Sequence, residues 1–165
     1  MKSLRQPITQ DQSYHQFADT RVWLGTPNAA DVYSSLLFVV VGLASAVWLS
    51  RRNVAQRWIW LTFFGSVTLV GFGSACYHLN PCDATLFWDR LPMAVAFTSF
   101  LAGLLGERAG AALFLPLVVF GVTSVVYWRH TDDLRLYALV QYGPMVAVPL
   151  MLWAVPRLRA QAVDV

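Results

Sequence analysis

Residues 71–92 read GFGSACYHLNPCDATLFWDRLP, and this one stretch concentrates a serine, a histidine, two aspartates, two cysteines and an arginine in an otherwise apolar chain. Ser74 and His78 are four apart, which on a helix puts both on one face. Asp89 follows a short turn at Asn80-Pro81. An antiparallel helix pair would return Asp89 to the level of His78, so that a hydroxyl, an imidazole and a carboxylate converge. Such groups can take a proton from an attacking water and steady a developing oxyanion. As plain structure, His78 and Asp89 would be interfacial residues that snorkel or pair, since ionisable groups at membrane depth are costly unless paired or functional. Arg90 adjoins Asp89, so it points elsewhere on the helix and is expected to reach phosphate head groups.

Other chemistries fit the spacing less well. A serine-hydrolase triad lacks a nucleophile elbow of the G-x-S-x-G kind. Cys76 and His78 are two apart, which on a helix turns them to different sides, and with Cys82 they match no usual structural zinc spacing. A Cys76–Cys82 disulfide would need an oxidising face; otherwise Cys76 is a small buried residue.

The elements that must hold these residues are membrane helices. The 165 residues are 57% hydrophobic and 13% charged, with mean hydropathy +0.51; a soluble domain carries about twice that charge. A spanning helix needs about 20 mostly apolar residues. Five runs qualify, at Val32–Leu49, Trp58–Tyr77, Leu86–Leu105, Gly110–Trp128 and Leu136–Pro156. None alternates as a barrel strand would. The expected fold is therefore all-α, a polytopic bundle of about five transmembrane helices. A polar segment at 1–30 precedes a transmembrane domain at 31–156, and a short tail follows at 157–165. The polar start lacks an apolar core, so no cleavable signal peptide is expected. Net charge is only +3, with basic residues at run ends rather than in one stripe, which argues against nucleic acid. Oligomeric state is not legible.

Arg51, Arg52 and Arg57 share the first tight loop and favour the cytoplasmic side, with Arg108, Arg157 and Arg159. That places the N-terminus outside and the C-terminus inside, although Lys2, Arg5, Arg21, Arg90, Arg129 and Arg135 fall opposite. With five spans, the N-terminal segment and the turns at 78–85 and 129–135 share one face. That face collects Asp11, Asp19, Asp31, Asp83, Asp89, Asp132 and Asp133, and all three histidines, His15, His78 and His130. Asn28 and Asp31 are placed to cap the first helix, and Asp132 or Asp133 to cap the fifth, with Arg135 pairing an acidic neighbour. Gln141, polar within the fifth run, would either line a cavity or bridge helices by hydrogen bonds, the bridge being preferred.

Across this frame the chain carries Tyr14-His15-x-Phe17-Ala18-Asp19, Pro27-Asn28, Asp31-Val32-x-Ser34, Gly73-Ser74-x-x-Tyr77-His78, Trp88-Asp89-Arg90-Leu91-Pro92-Met93 and Thr131-Asp132-Asp133-Leu134-Arg135-x-Tyr137-x-Leu139-Val140-Gln141. This series, from about Tyr14 to about Pro149, resembles the bacterial branch of the alkaline ceramidase-like proteins. Those belong with the seven-helix membrane hydrolases that include the adiponectin-receptor-like proteins.

The resemblance implies an integral protein of the bacterial inner membrane that hydrolyses an amide bond in a lipid such as ceramide, with zinc as cofactor. By it, His78 is a zinc ligand, Asp89 orients or deprotonates the attacking water, and Ser74 helps hold the oxyanion or the water. It also implies calcium near the N-terminus, where Asp19, Asn28 and Asp31 would supply oxygen ligands. The sequence departs from the pattern in two places. Ser35 stands where relatives more often have Asn, and no histidine follows His130, so the His-x-x-x-His pair of the family's last helix is missing. The expectation is a truncated member with an incomplete zinc shell, which His15 and His130 would have to complete. The alternative is a non-catalytic scaffold or lipid-binding protein that keeps the fold.

Overall fold

The computed structural model describes residues 6–154, and these form five α-helices: α1 (Ala29–Ser50), α2 (Arg57–Leu79), α3 (Asp83–Ala109), α4 (Phe114–Thr131) and α5 (Arg135–Ala154). Each apolar run lies on one helix, with ends moved by a few residues. Short 3-10 turns at Gln12–His15 and Ala111–Leu113 are the other helical pieces. Three segments, Ala29–Ser50, Arg57–Leu79 and Ala111–Thr131, are long and apolar enough to cross a membrane. The span end at Pro156, and the basic residues Lys2, Arg5, Arg157 and Arg159, lie outside the described residues.

Local chemistry sets the helix ends. Asn28 does not cap α1 with its side chain; it sits in the left-handed region at φ 48° and makes no such bond. Asp19 supplies the cap from a distance, its Oδ2 accepting from Ala30 N at 2.8 Å. After Leu79, Asn80 leads into Pro81, which has no N–H to continue the ladder. Thr85 starts α3 by folding back so that its Oγ1 accepts from Cys82 N at 3.3 Å. Asp132 ends α4 in the left-handed region at φ 54°, its N–H returning to Trp128 O. Asp133 then caps α5, accepting from Arg135 N at 3.2 Å and pairing with the Arg135 side chain, as its position before the helix predicts.

Helix α3 is the hub, packed on α2, α4 and α5, while α1 packs on α2. The buried core joins Tyr77 of α2, Leu86 and Ala94 of α3, Val125 and Trp128 of α4, and Tyr137 and Val140 of α5. This cluster lies towards the end of the bundle where α2 finishes and α3 and α5 begin. At that end the N-terminal segment folds over the helix tips. Gln12 donates to Asp83, and Gln10 N to Asp132, so the N-terminal segment and both turns do share one face.

Glycines let the helices approach. A Cβ on Gly71 would strike Ser35 O and Val39 of α1, and one on Gly73 would strike Trp88 O and the Asp89 Cα of α3. Pro92, four residues on, cannot donate to the Trp88 carbonyl, so this oxygen faces the bare Gly73 backbone instead of closing a helical bond. Replacing Gly73 by Leu should separate α2 from α3 and cost about 1–3 kcal/mol of stability. Unfolding in detergent measures it; Gly65→Ala, whose Cβ would meet nothing within 4 Å, should show no loss and a gain of up to about 1 kcal/mol from helix propensity.

Candidate functional site

Ser74 and His78 do share a face of α2, and that face looks at α1. The Ser35 hydroxyl donates to the Asp31 carbonyl at 2.7 Å and is hydrogen-bonded to Ser74 Oγ at 3.0 Å. One turn on, His78 Nδ1 stands 3.8 Å from Asp31 Oδ2. That is an ion-pair distance, too long for a hydrogen bond. This nitrogen is enclosed yet has no hydrogen-bond partner. Below it, Asn28 Nδ2 donates to the His78 carbonyl at 2.8 Å, tying the start of α1 to the end of α2. Phe17 leans on the imidazole, ring centroids 4.4 Å apart.

Asp89 occupies the facing helix at the level of Gly73. It is buried, 8% exposed, and its Oδ1 has no hydrogen-bond partner. Among the described residues, no hydrogen bond or ion pair joins Asp89 to Ser74 or His78. The structure therefore brings Ser74 and His78 together with Asp31 and Ser35, and leaves Asp89, buried against Gly73, outside that group.

The remaining histidines are elsewhere. His15 is not remote, as its place in the N-terminal segment suggests. Its Nδ1 lies 2.9 Å from Tyr77 Oη and its Nε2 3.1 Å from Asp83 Oδ1, so both ring nitrogens are engaged. His130 is exposed in the last turn of α4. Among the described residues, no group of three or more His, Cys, Asp or Glu stands where it could hold a metal ion. The donors among the described residues thus do not by themselves complete a catalytic zinc site, which takes three protein ligands. In the region suggested for calcium, Asp19 is engaged by Arg21 and Ala30 N, and the Asn28 amide by the His78 carbonyl. The Arg21 side chain holds the Asp19 carboxyl below its usual range. Cys76 and Cys82 are free thiols.

Arg90 departs from its sequence reading. It does not reach head groups; it is 6% exposed, and its Nη2 donates to Gln10 Oε1 at 2.7 Å. Gln141 makes no hydrogen bond to a neighbouring helix among the described residues, and instead lines a cavity beside Arg90. Between α2 and α3 lies an apolar cavity of about 560 Å³, walled by Leu69, Phe72, Trp88, Leu91 and Val95 and floored by Gly73.

The contributions of Gln10, Ser35 and Tyr77 are the ones that motif spacing leaves out. All three depend on contacts between distant segments, and only the position of Ser35 one turn from Asp31 carries a local signal.

No family model, curated protein or solved structure matches the chain.

The N-terminal segment is held at residues 8–10. Leu134 N donates to Ile8 O at 2.9 Å, and Ile8 N to Asp133 Oδ1 at 3.4 Å. The Arg135 side chain holds the Asp133 carboxyl at about 2, against an ordinary 3.8. A carboxyl lowered in the folded state stabilises fully above its unfolded value and loses that contribution as pH falls through its folded value. Protection of the Leu134 amide against hydrogen exchange, corrected for the intrinsic rate, should therefore hold down to about pH 4 and fall as the pH approaches about 2. In Asp133→Asn this step should vanish; an identical step in both proteins would show that another group carries it.

Proposed function

We propose that this chain is a ceramidase-like integral membrane protein of five spans, whose Asp31–Ser35–Ser74–His78 wall binds the polar amide end of a membrane lipid such as ceramide. The bacterial inner membrane, with the N-terminus outside, is the location that goes with this reading. The observation that carries it is the enclosed His78 Nδ1. It has no hydrogen-bond partner, yet shares its face with two hydroxyls and a carboxylate. Buried polar atoms are ordinarily satisfied, and one left open beside others is what a polar ligand completes. A lipid amide offers both a carbonyl oxygen and an N–H, and the Ser74 hydroxyl and His78 imidazole supply the matching donor and acceptor capacity. The apolar cavity floored by Gly73 would take an acyl chain on the α3 side.

Hydrolysis is the further step in this reading. In the family the chain resembles, zinc polarises the carbonyl and acidifies the attacking water. The donors described here do not complete such a centre, so no step is routed through the metal. His78 would be one ligand, and Ser74 and Asp89 would bracket the reacting amide, only if further ligands came from beyond the described residues. Lipid binding without turnover is therefore the part of the proposal that these residues support directly.

Binding of a ceramide analogue to detergent-purified protein tests the reading. Losing one polar contact to a buried ligand costs about 1 kcal/mol, a several-fold drop in affinity, so His78→Ala and Ser74→Ala should each weaken binding several-fold. Zinc content is measured in the same preparations. About one zinc per protomer, lost in His78→Ala, would extend the proposal to a hydrolase and call for an amidase assay. Equal ceramide affinity in wild type and both variants would overturn it.

A further inference from the structure

We propose that the cavity between the N-terminal segment and α5 binds an amphiphile bearing one anionic oxygen group, with Arg90 as its anchor. This inference is independent of the lipid-amide reading, because Arg90 faces α4 and α5 while Ser74 and His78 face α1.

Arg90 is a guanidinium almost wholly removed from water, and no carboxylate lies within ion-pair distance of it among the described residues. Its faces are covered by aromatic rings: Trp128 at 4.3 Å, Tyr137 at 4.9 Å and Tyr14 at 5.6 Å from the guanidinium carbon. Ring faces compensate part of the charge, but they do not accept the N–H bonds in the guanidinium plane. Of those, Nη2 has the neutral Gln10 Oε1, whereas Nη1 is buried with no hydrogen-bond partner. A buried cation left this way is expensive unless something pairs with it.

Beside it lies a cavity of about 290 Å³ to which Arg90 itself contributes a wall. One side is polar, from Thr9, Gln10 and Asp11; the other, on the α5 side, is mainly apolar, from Leu134, Ala138 and Tyr142, with Gln141 as its polar member. Tyr142 is exposed on the bundle surface, so the apolar side continues outward along α5. A charged head with an apolar chain matches both walls at once. The charge should be single. Asp11 shares the cavity and Asp132 sits behind Gln10, so a dianion would meet like charge that one guanidinium edge cannot offset. A fatty-acid carboxylate and the phosphodiester of an anionic phospholipid both have this chemistry.

The test is binding of radiolabelled oleate to the full chain in nanodiscs of zwitterionic lipid. Wild type should bind oleate, and millimolar acetate or inorganic phosphate should not displace it. Removing a charge-assisted bond costs about 1.5–3 kcal/mol, so Arg90→Gln should weaken binding about tenfold or more. Ala138→Phe should block the cavity with Arg90 intact, and it decides the question alone if Arg90→Gln does not fold. Displacement of oleate by phosphatidylglycerol would make a lipid headgroup the source of the oxyanion; failure to displace would make it a carboxylate. Unchanged oleate binding in Ala138→Phe, no oleate binding by wild type, or acetate or phosphate competing as well as oleate would overturn the proposal.

Discussion

The burial of one guanidinium governs how this end of the bundle is put together. An arginine taken out of water must recover its lost hydration from neighbours, and Arg90 draws them from three separate segments. Gln10 comes from the N-terminal segment, Tyr14 from its 3-10 turn, Trp128 from the end of α4 and Tyr137 from the start of α5. Remove the cation and these segments lose their common point. Three of those partners, Tyr14, Trp128 and Tyr137, are aromatic and stack around the guanidinium at this end of the bundle. The N-terminal segment, once drawn in by Gln10, is fastened by Asp132 and Asp133 beyond it and by His15 on Tyr77 and Asp83.

That fastening bears on the candidate site. Tyr77 and His78 are consecutive, so they point to different sides of α2. Tyr77 enters the core, and its hydroxyl bonds to His15 and to the Tyr14 carbonyl. His78 turns to α1, with Phe17 against its ring. The same segment that covers Arg90 therefore also covers His78. Close packing of α2 fixes both side chains: Gly71 admits the α1 backbone and Gly73 admits the α3 backbone, leaving α2 little freedom to rotate between them. Two glycines two residues apart, facing different partners, hold Ser74 against Ser35.

Helix number and placement were legible because apolar length is a strong signal, and because Pro81 and the Asp132-Asp133 pair punctuate the chain. The i, i+4 relation of Ser74 and His78 was legible for the same geometric reason. Capping of α5 by Asp133 was local and readable; capping of α1 by Asp19 was not, since Asn28 and Asp31 stand closer in sequence and the bond from Ala30 reaches back eleven residues. Arg90 looked like a head-group ligand because an arginine near a helix start usually snorkels. What sequence could not display was the segment some 80 residues earlier that closes over it. His15 shows the same limit: a histidine in a polar segment looked free, and its partners lie on two other elements. Motif spacing predicts Asp89 at the level of His78, whereas it stands against Gly73, more than a turn deeper along α2, because the turn at 80–82 and the close approach at Gly73 set the register of α3.

Asp89 and Arg90 are best understood as a pair that cannot touch. Adjacent residues on a helix diverge by about 100°: the Asp89 backbone lies against Gly73 of α2, while the Arg90 guanidinium lies against Trp128 of α4 and Tyr137 of α5. Both are enclosed, and each keeps one polar atom without a partner, Oδ1 on Asp89 and Nη1 on Arg90. In a medium of low polarity their opposite charges still attract over several ångströms, which lowers the cost of burying each without forming a bond. A direct salt bridge would have used up both groups. Held apart by the helix itself, they attract only at a distance, and each keeps a polar atom that no hydrogen bond satisfies. This arrangement explains how a largely apolar chain tolerates two buried charges side by side in sequence.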